Sequence, residues 1–127
     1  MIGVPVTALY AGLLGLLAVG LANQVLYVRL RARSLPEWKA DTVLRVQANF
    51  VENVPLALLL LLILELQHIP SLALHLFGGG LVFCRVAHAW GMSRNPGANY
   101  PRLIGAQGTF LLVSIMSVAA VFSGLAR

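Results

Sequence analysis

The sequence predicts an all-α integral membrane protein, a bundle of four transmembrane helices, and three observations predict it. Hydrophobic residues make up 59% of the 127 residues and charged ones only 10%, where an average soluble chain carries roughly 25% charge. So few charged side chains cannot cover a globule of this size in water, and lipid must cover much of its surface. The apolar residues fall into four stretches, each near the ~20 residues that a helix needs to cross the hydrocarbon. Short polar breaks separate them, and these hold most of the basic residues.

The first span, about 4–32, lacks a basic leading region and is longer than the ~7–15-residue apolar core of a signal peptide. It therefore reads as a retained helix, ending in Arg29, Arg31 and Arg33. A polar break over 34–41 follows, where Pro36 cannot continue a helix. Asp41 or Thr42 then offers a side-chain oxygen to cap the next helix. The second span, about 42–67, is polar in its first turns (Arg45, Gln47, Asn49, Glu52, Asn53) and aliphatic from 56 to 66. Pro55 between these halves removes one backbone hydrogen bond and predicts a kink. The short break Gln67-His-Ile-Pro70 predicts an antiparallel hairpin with the third span, about 71–92. In that span Gly78-Gly-Gly80 permits close approach of a neighbouring helix, from the same subunit or another. A loop over 93–101 leads to the fourth span, about 102–125. The length suits one compact domain over 1–127, without internal repeat or low-complexity tail.

The basic residues also orient the bundle, because cytoplasmic loops carry an excess of Lys and Arg. The first loop and its edges hold Arg29, Arg31, Arg33, Lys39 and Arg45, and the third holds Arg94 and Arg102. The second loop holds none, and only Arg127 marks the opposite face. Loops one and three then face the cytoplasm and both termini are extracytoplasmic. The net charge of +5 fits a membrane surface or an anionic ligand. It does not fit nucleic acid, since no basic stripe interleaves with aromatics. The lone Cys84 lies in an apolar run and reads as packing. No His-x-x-x-His, paired carboxylates or Ser-His-Asp set suggests a metal site or a nucleophile.

Charged groups inside a span are costly, ~2.5–3.5 kcal/mol each at the helix centre, and mark candidate sites. Arg45, Asn49 and Glu52 stand at i, i+4 and i+7, on one face of the second span. Arg85, His88 and Met92 repeat that spacing on the third. Such a strip suits an anionic or zwitterionic small molecule. Arginine forks onto carboxylates, glutamate receives an ammonium group, and asparagine both donates and accepts. Bland readings stand beside this one. Arg45 and Glu52 pair with each other; Arg85 snorkels to the interface; His88 is a hydrogen-bonded packing residue. Arg29, Arg31, Arg33 and Lys39 set topology and meet headgroups, while Glu65, His68 and His75 are solvated near the opposite interface.

The stretch Arg45-Val-Gln-Ala-Asn-Phe-Val-Glu-Asn-Val-Pro55 resembles the second-helix signature of the MAPEG family, the membrane-associated proteins in eicosanoid and glutathione metabolism: Arg-x-x-x-Asn-x-x-Glu with a proline close behind. Arg85-Val-Ala-His-Ala-Trp-Gly91 is similar to the Arg-x-x-His-x-x-Gly run that ends helix three in bacterial members. Arg102-Leu-Ile-Gly105 is similar to their Arg-x-x-Gly at the start of helix four. The resemblance covers nearly the whole chain. It implies a homotrimer in a bacterial inner membrane, with glutathione held between subunits near the cytoplasmic side. It implies that Arg45, Asn49 and Glu52 bind glutathione, with Arg29, Arg85 and His88 in the same binding set. It implies that Arg102 stabilises the thiolate, as its counterpart does in the leukotriene-forming synthase. A lipophilic electrophile entering from the membrane would be conjugated, or a lipid hydroperoxide reduced.

Two positions depart from the family pattern. Met92 stands four residues after His88, where conjugating members usually carry tyrosine, and Asn53 stands where some carry a second one. Tyr100 is near Arg102 in sequence and is the other hydroxyl to consider. These departures suit a rival reading, a non-catalytic lipid-binding or scaffold protein, since the family includes an accessory member of that kind. A small multidrug-type transporter is a third reading, but its key glutamate would lie in the first span, whereas Glu52 lies in the second.

Overall fold

A computed structural model describes residues 3–94 and 99–126. Four helices account for nearly all of them: α1 Pro5–Leu30, α2 Glu37–Leu66, α3 Ser71–Arg94 and α4 Tyr100–Leu125. A single 3-10 turn, Ala32–Ser34, joins α1 to α2. The helices have 26, 30, 24 and 26 residues, and all four are long and apolar enough to cross a membrane. At ~1.5 Å per residue each exceeds the ~30 Å hydrocarbon core, so their polar ends project into the headgroup region. The protein is an all-α membrane bundle. Arg127 and residues 95–98 of the third loop lie outside the described residues.

Helices α2 and α3 each pack against the other three, so they form the middle of the bundle. Leu14 and Leu21 of α1, Val54, Ala57, Leu61 and Leu64 of α2, Leu74 and Leu81 of α3, and Met116 of α4 meet in one apolar core. Helix α4 buries only a narrow line, Gly105, Thr109 and Met116. Large apolar side chains such as Leu16, Leu72, Phe122 and Leu125 remain exposed in the chain, as lipid-facing residues do.

Two helix starts differ from the sequence expectation. Helix α2 begins at Glu37, inside the expected 34–41 break. Pro36 precedes it as the capping residue with an extended ψ of 146°, because proline blocks helix continuation but not initiation. Asp41 and Thr42 are therefore helical and do not cap. Asp41 pairs with Arg45, and the Thr42 hydroxyl donates to Trp38 O at 2.7 Å. Helix α4 begins at Tyr100, two residues before the expected start, with Pro101 in its first turn and the Asn99 side chain as its cap. Helix α1 stops at Leu30 rather than 32, and α3 runs on to Arg94 rather than 92. Helix α2 runs through Pro55 without interruption.

The α2–α3 hairpin closes tightly. His68 takes a φ of 63°, Ile69 N donates to Leu64 O, and His68 N donates to Glu65 O. This is the left-handed Schellman ending, which satisfies the last carbonyls of α2. Beside it, Glu65 has a structural task rather than the expected solvated role. Its two carboxylate oxygens accept from Val6 N at 3.0 Å and Thr7 N at 2.8 Å. They meet free N–H groups at the positive end of α1, where a carboxylate is favoured. Tyr10 Oη lies 2.9 Å from His75 Nδ1, giving that histidine a partner too. The Tyr10 ring occupies the space where a Gly78 side chain would stand, so Gly78 serves a contact within the chain.

Candidate functional site

At the opposite end of the bundle the start of α2, the end of α3 and the start of α4 converge. Lys39 Nζ donates to Ser93 O at 2.9 Å, tying α2 to α3. Asn99 ties α4 to α3 with both ends of its amide. Its Oδ1 accepts from Arg102 N at 2.9 Å, and its Nδ2 donates to Gly91 O at 2.8 Å. Two glycines make the α3–α4 approach possible. A Cβ on Gly91 would stand 2.5 Å from Arg102 N, and one on Gly105 would stand 2.5 Å from Cys84 O and His88 N. Backbone therefore packs on backbone along this seam, which brings His88 and Arg102 to one place.

That place is a pocket of about 300 Å³, lined by Arg45, Ala48, Asn49 and Glu52 of α2, His88 and Met92 of α3, and Arg102 of α4. Its size is at the small end of the ~300–1,000 Å³ range of ligand sites. The i, i+4, i+7 face of α2 does look into it. Arg45 does not pair with Glu52; its Nε lies 3.1 Å from Asp41 Oδ2, and both side chains are exposed. Such a pair contributes only about 0.3–0.5 kcal/mol and engages one of the five guanidinium donors. Asn49 Oδ1 and His88 Nδ1 are buried without a hydrogen-bond partner among the described residues. His88 is 4% exposed, so it is buried but lacks the partner that the packing reading requires at Nδ1. Arg102 stands in the first turn of α4, where the helix dipole adds positive potential. Guanidinium, carboxylate, amide and imidazole thus face one small volume, an arrangement suited to a compact molecule with carboxylate and ammonium ends.

Two sequence candidates lie elsewhere. Arg85 is 2% exposed and sits between α2, α3 and α4 rather than among the pocket-lining residues. Its Nη1 donates to Thr109 Oγ1 at 3.3 Å, the Thr109 hydroxyl donates to Gly105 O at 2.7 Å, and the guanidinium carbon is 5.9 Å from the Phe50 ring centroid. This burial rules out snorkelling. Among the described residues no carboxylate pairs with it, and Nε has no partner. Arg29 is exposed at the end of α1 and lines a separate depression with Arg31, Arg33 and Ser34. Within one chain it is apart from the α2–α3–α4 pocket.

The departures from tyrosine also have definite geometry. Met92 presents a thioether to the pocket, and Asn53 turns back to donate from Nδ2 to Asn49 O at 2.8 Å. Tyr100 is 80% exposed and does not line the pocket. Among the described residues no tyrosine hydroxyl lines it. Sequence reasoning missed Thr109 as the partner of Arg85 and Asn99 as the latch on α3. The Asn-Tyr-Pro run signals the cap, and Gly105, Gly108 and Thr109 are small residues at helical contact spacing.

A family model described as the MAPEG family matches residues 7–122. No curated protein matches the chain, and no solved structure does.

Proposed function

Because the chain belongs to the MAPEG family, we propose that it is a glutathione-dependent transferase or peroxidase acting within the membrane on lipophilic electrophiles or lipid hydroperoxides. The observation that carries this reading is the convergence of Arg45, Asn49, Glu52, His88 and Arg102 on one pocket. Glutathione is a tripeptide thiol with two carboxylates and one ammonium group. Arg45 takes a carboxylate through forked donors, Glu52 takes the ammonium group, and the Asn49 amide spans a peptide unit. The unpartnered Asn49 Oδ1 and His88 Nδ1 support a polar occupant, since buried polar atoms are costly when left unsatisfied. Arg102, reinforced by the first turn of α4, favours thiolate over thiol.

In the transferase reaction the sulfur lone pair forms a C–S bond to the electrophile, and the electrons of the broken bond leave on the departing atom, which takes a proton. In the peroxidase reaction a second thiol completes the balance. Two glutathiones give one disulfide while the hydroperoxide becomes alcohol and water. Arg85 acts through position: its bond to Thr109 and its place over Phe50 hold α2, α3 and α4 in register behind the pocket. In a homotrimer Arg29 reaches the pocket of a neighbouring subunit, consistent with its exposed place at the end of α1. The pocket then faces the cytoplasm of a bacterial inner membrane.

The rival reading, a non-catalytic lipid-binding protein on the same fold, draws on Met92 and Asn53, neither of which offers the pocket a hydroxyl. The ultraviolet absorbance of bound thiolate separates the two. Wild type should show it on addition of glutathione, and Arg102→Ala should lose it while retaining most of its affinity. Turnover undiminished in Arg102→Ala would remove that residue from the mechanism, and absence of any thiolate signal would favour the accessory protein.

A further inference from the structure

The outer face of the α3–α4 seam carries a cavity in two parts. Phe83, Val86, Ala87 and Trp90 of α3 with Pro101 and Ile104 of α4 line an almost wholly apolar groove of about 320 Å³. Next to it a hollow of about 450 Å³ is lined by Trp90, Gly91, Arg94, Asn99 and Pro101. The two share Trp90 and Pro101, so one is the continuation of the other. The seam itself separates them from the pocket of His88 and Arg102, because Gly91 packs directly on the Arg102 backbone.

The chemistry along this cavity is graded. Arg94 is exposed at its end, and its guanidinium carbon lies 5.0 Å from the Trp90 ring centroid. A guanidinium within cation–π reach of an indole is held near the ring by part of its charge and still has N–H groups for a forked contact with an oxyanion. Beyond Trp90 the lining is apolar down to Phe83. From Arg94 to Phe83 the helix rises roughly 16 Å, close to half of the ~30 Å hydrocarbon thickness. The occupant must therefore be anionic at one end only, apolar over the roughly 10 Å of helix rise from Trp90 to Phe83, and narrow enough for a groove between two helices. A tryptophan at the junction matches the headgroup level, where indoles concentrate.

We infer that the α3–α4 seam binds an anionic membrane phospholipid, with its phosphate on Arg94 and one acyl chain in the groove from Trp90 to Phe83. The site is distinct from the thiol pocket and stands whether or not the protein turns over glutathione. It makes α3 and α4 a lipid-braced pair at the place where their own contact is narrowest in side chains, Gly91 and Gly105.

Native mass spectrometry of the purified full chain, equilibrated with equal amounts of phosphatidylglycerol and phosphatidylcholine of the same acyl composition, tests this. Wild type should retain phosphatidylglycerol over phosphatidylcholine by about fivefold, the effect of one interfacial arginine. Arg94→Gln should bring that ratio close to one without loss of total lipid. Ala87→Trp, which fills the groove, should lose both lipids, with circular dichroism verifying the fold. Unchanged phosphatidylglycerol preference in Arg94→Gln would overturn the proposal, as would full lipid retention in a folded Ala87→Trp. Cross-linking of Ala87→Cys to a neighbouring chain would assign the groove to a second copy instead and overturn it equally.

Discussion

Where α1 begins, Glu65 gives both carboxylate oxygens to backbone N–H groups, and Tyr10 and His75 satisfy each other; where α1 ends, Arg45, Glu52, His88 and Arg102 turn toward a shared pocket. The two ends contain similar residue types and put them to different uses. Gln67 Oε1 at the first end also lacks a partner among the described residues, so an unpaired atom alone does not mark a site. What distinguishes the second end is convergence on one cavity of opposite charges from α2 and α4, with an imidazole from α3 beside them. A carboxylate bonded to a helix start strengthens the fold, whereas one lining a pocket beside two arginines offers its energy to a ligand.

Substitutions can break this contrast, the largest effect first. Gly105→Leu should be the most damaging, because its side chain would enter the space of Cys84 O and the His88 backbone. Overpacking of this kind costs about 3 kcal/mol or more, and thermal unfolding in detergent should show it together with loss of glutathione binding. Arg45→Ala and Glu52→Ala should each weaken glutathione binding by about tenfold to a hundredfold, the range for a lost charge-assisted hydrogen bond, with little change in unfolding temperature. Glu65→Ala should do the reverse. Stability should fall by about 1–2 kcal/mol as α1 loses its cap, while glutathione affinity stays within about twofold. Equal effects of Glu65→Ala and Glu52→Ala on binding would erase the distinction between the ends. The smallest effect is a gain. Met92→Tyr should raise the thiolate fraction or turnover by about fivefold, the value of one added hydrogen bond, as read by ultraviolet absorbance at fixed glutathione.

The four spans were legible because lipid imposes a simple rule, and a helix must be apolar over its length to obey it. The face of α2 was legible because charge inside a span is costly, so Arg45, Asn49 and Glu52 recurring at helical spacing in the polar first turns of α2 mark one side of it. Helix starts were harder. Pro36 reads as a break, yet a proline at the edge of a helix is also a beginning, and only the backbone before Glu37 decides between them. The depth of Arg85 depends on which side of α3 receives α4, and Gly105 with Thr109 sets that. Glu65 capping α1 was invisible because its partners are backbone groups 58 and 59 residues away, and no sequence pattern encodes such a bond.

The most direct test is equilibrium binding of glutathione to the detergent-purified protein, comparing wild type with Arg45→Ala, Glu52→Ala and Glu65→Ala. Saturable binding that the first two substitutions weaken and the third leaves intact is the predicted result. No binding at millimolar glutathione, or binding indifferent to Arg45 and Glu52, would contradict the assignment of the α2–α3–α4 pocket as a thiol site.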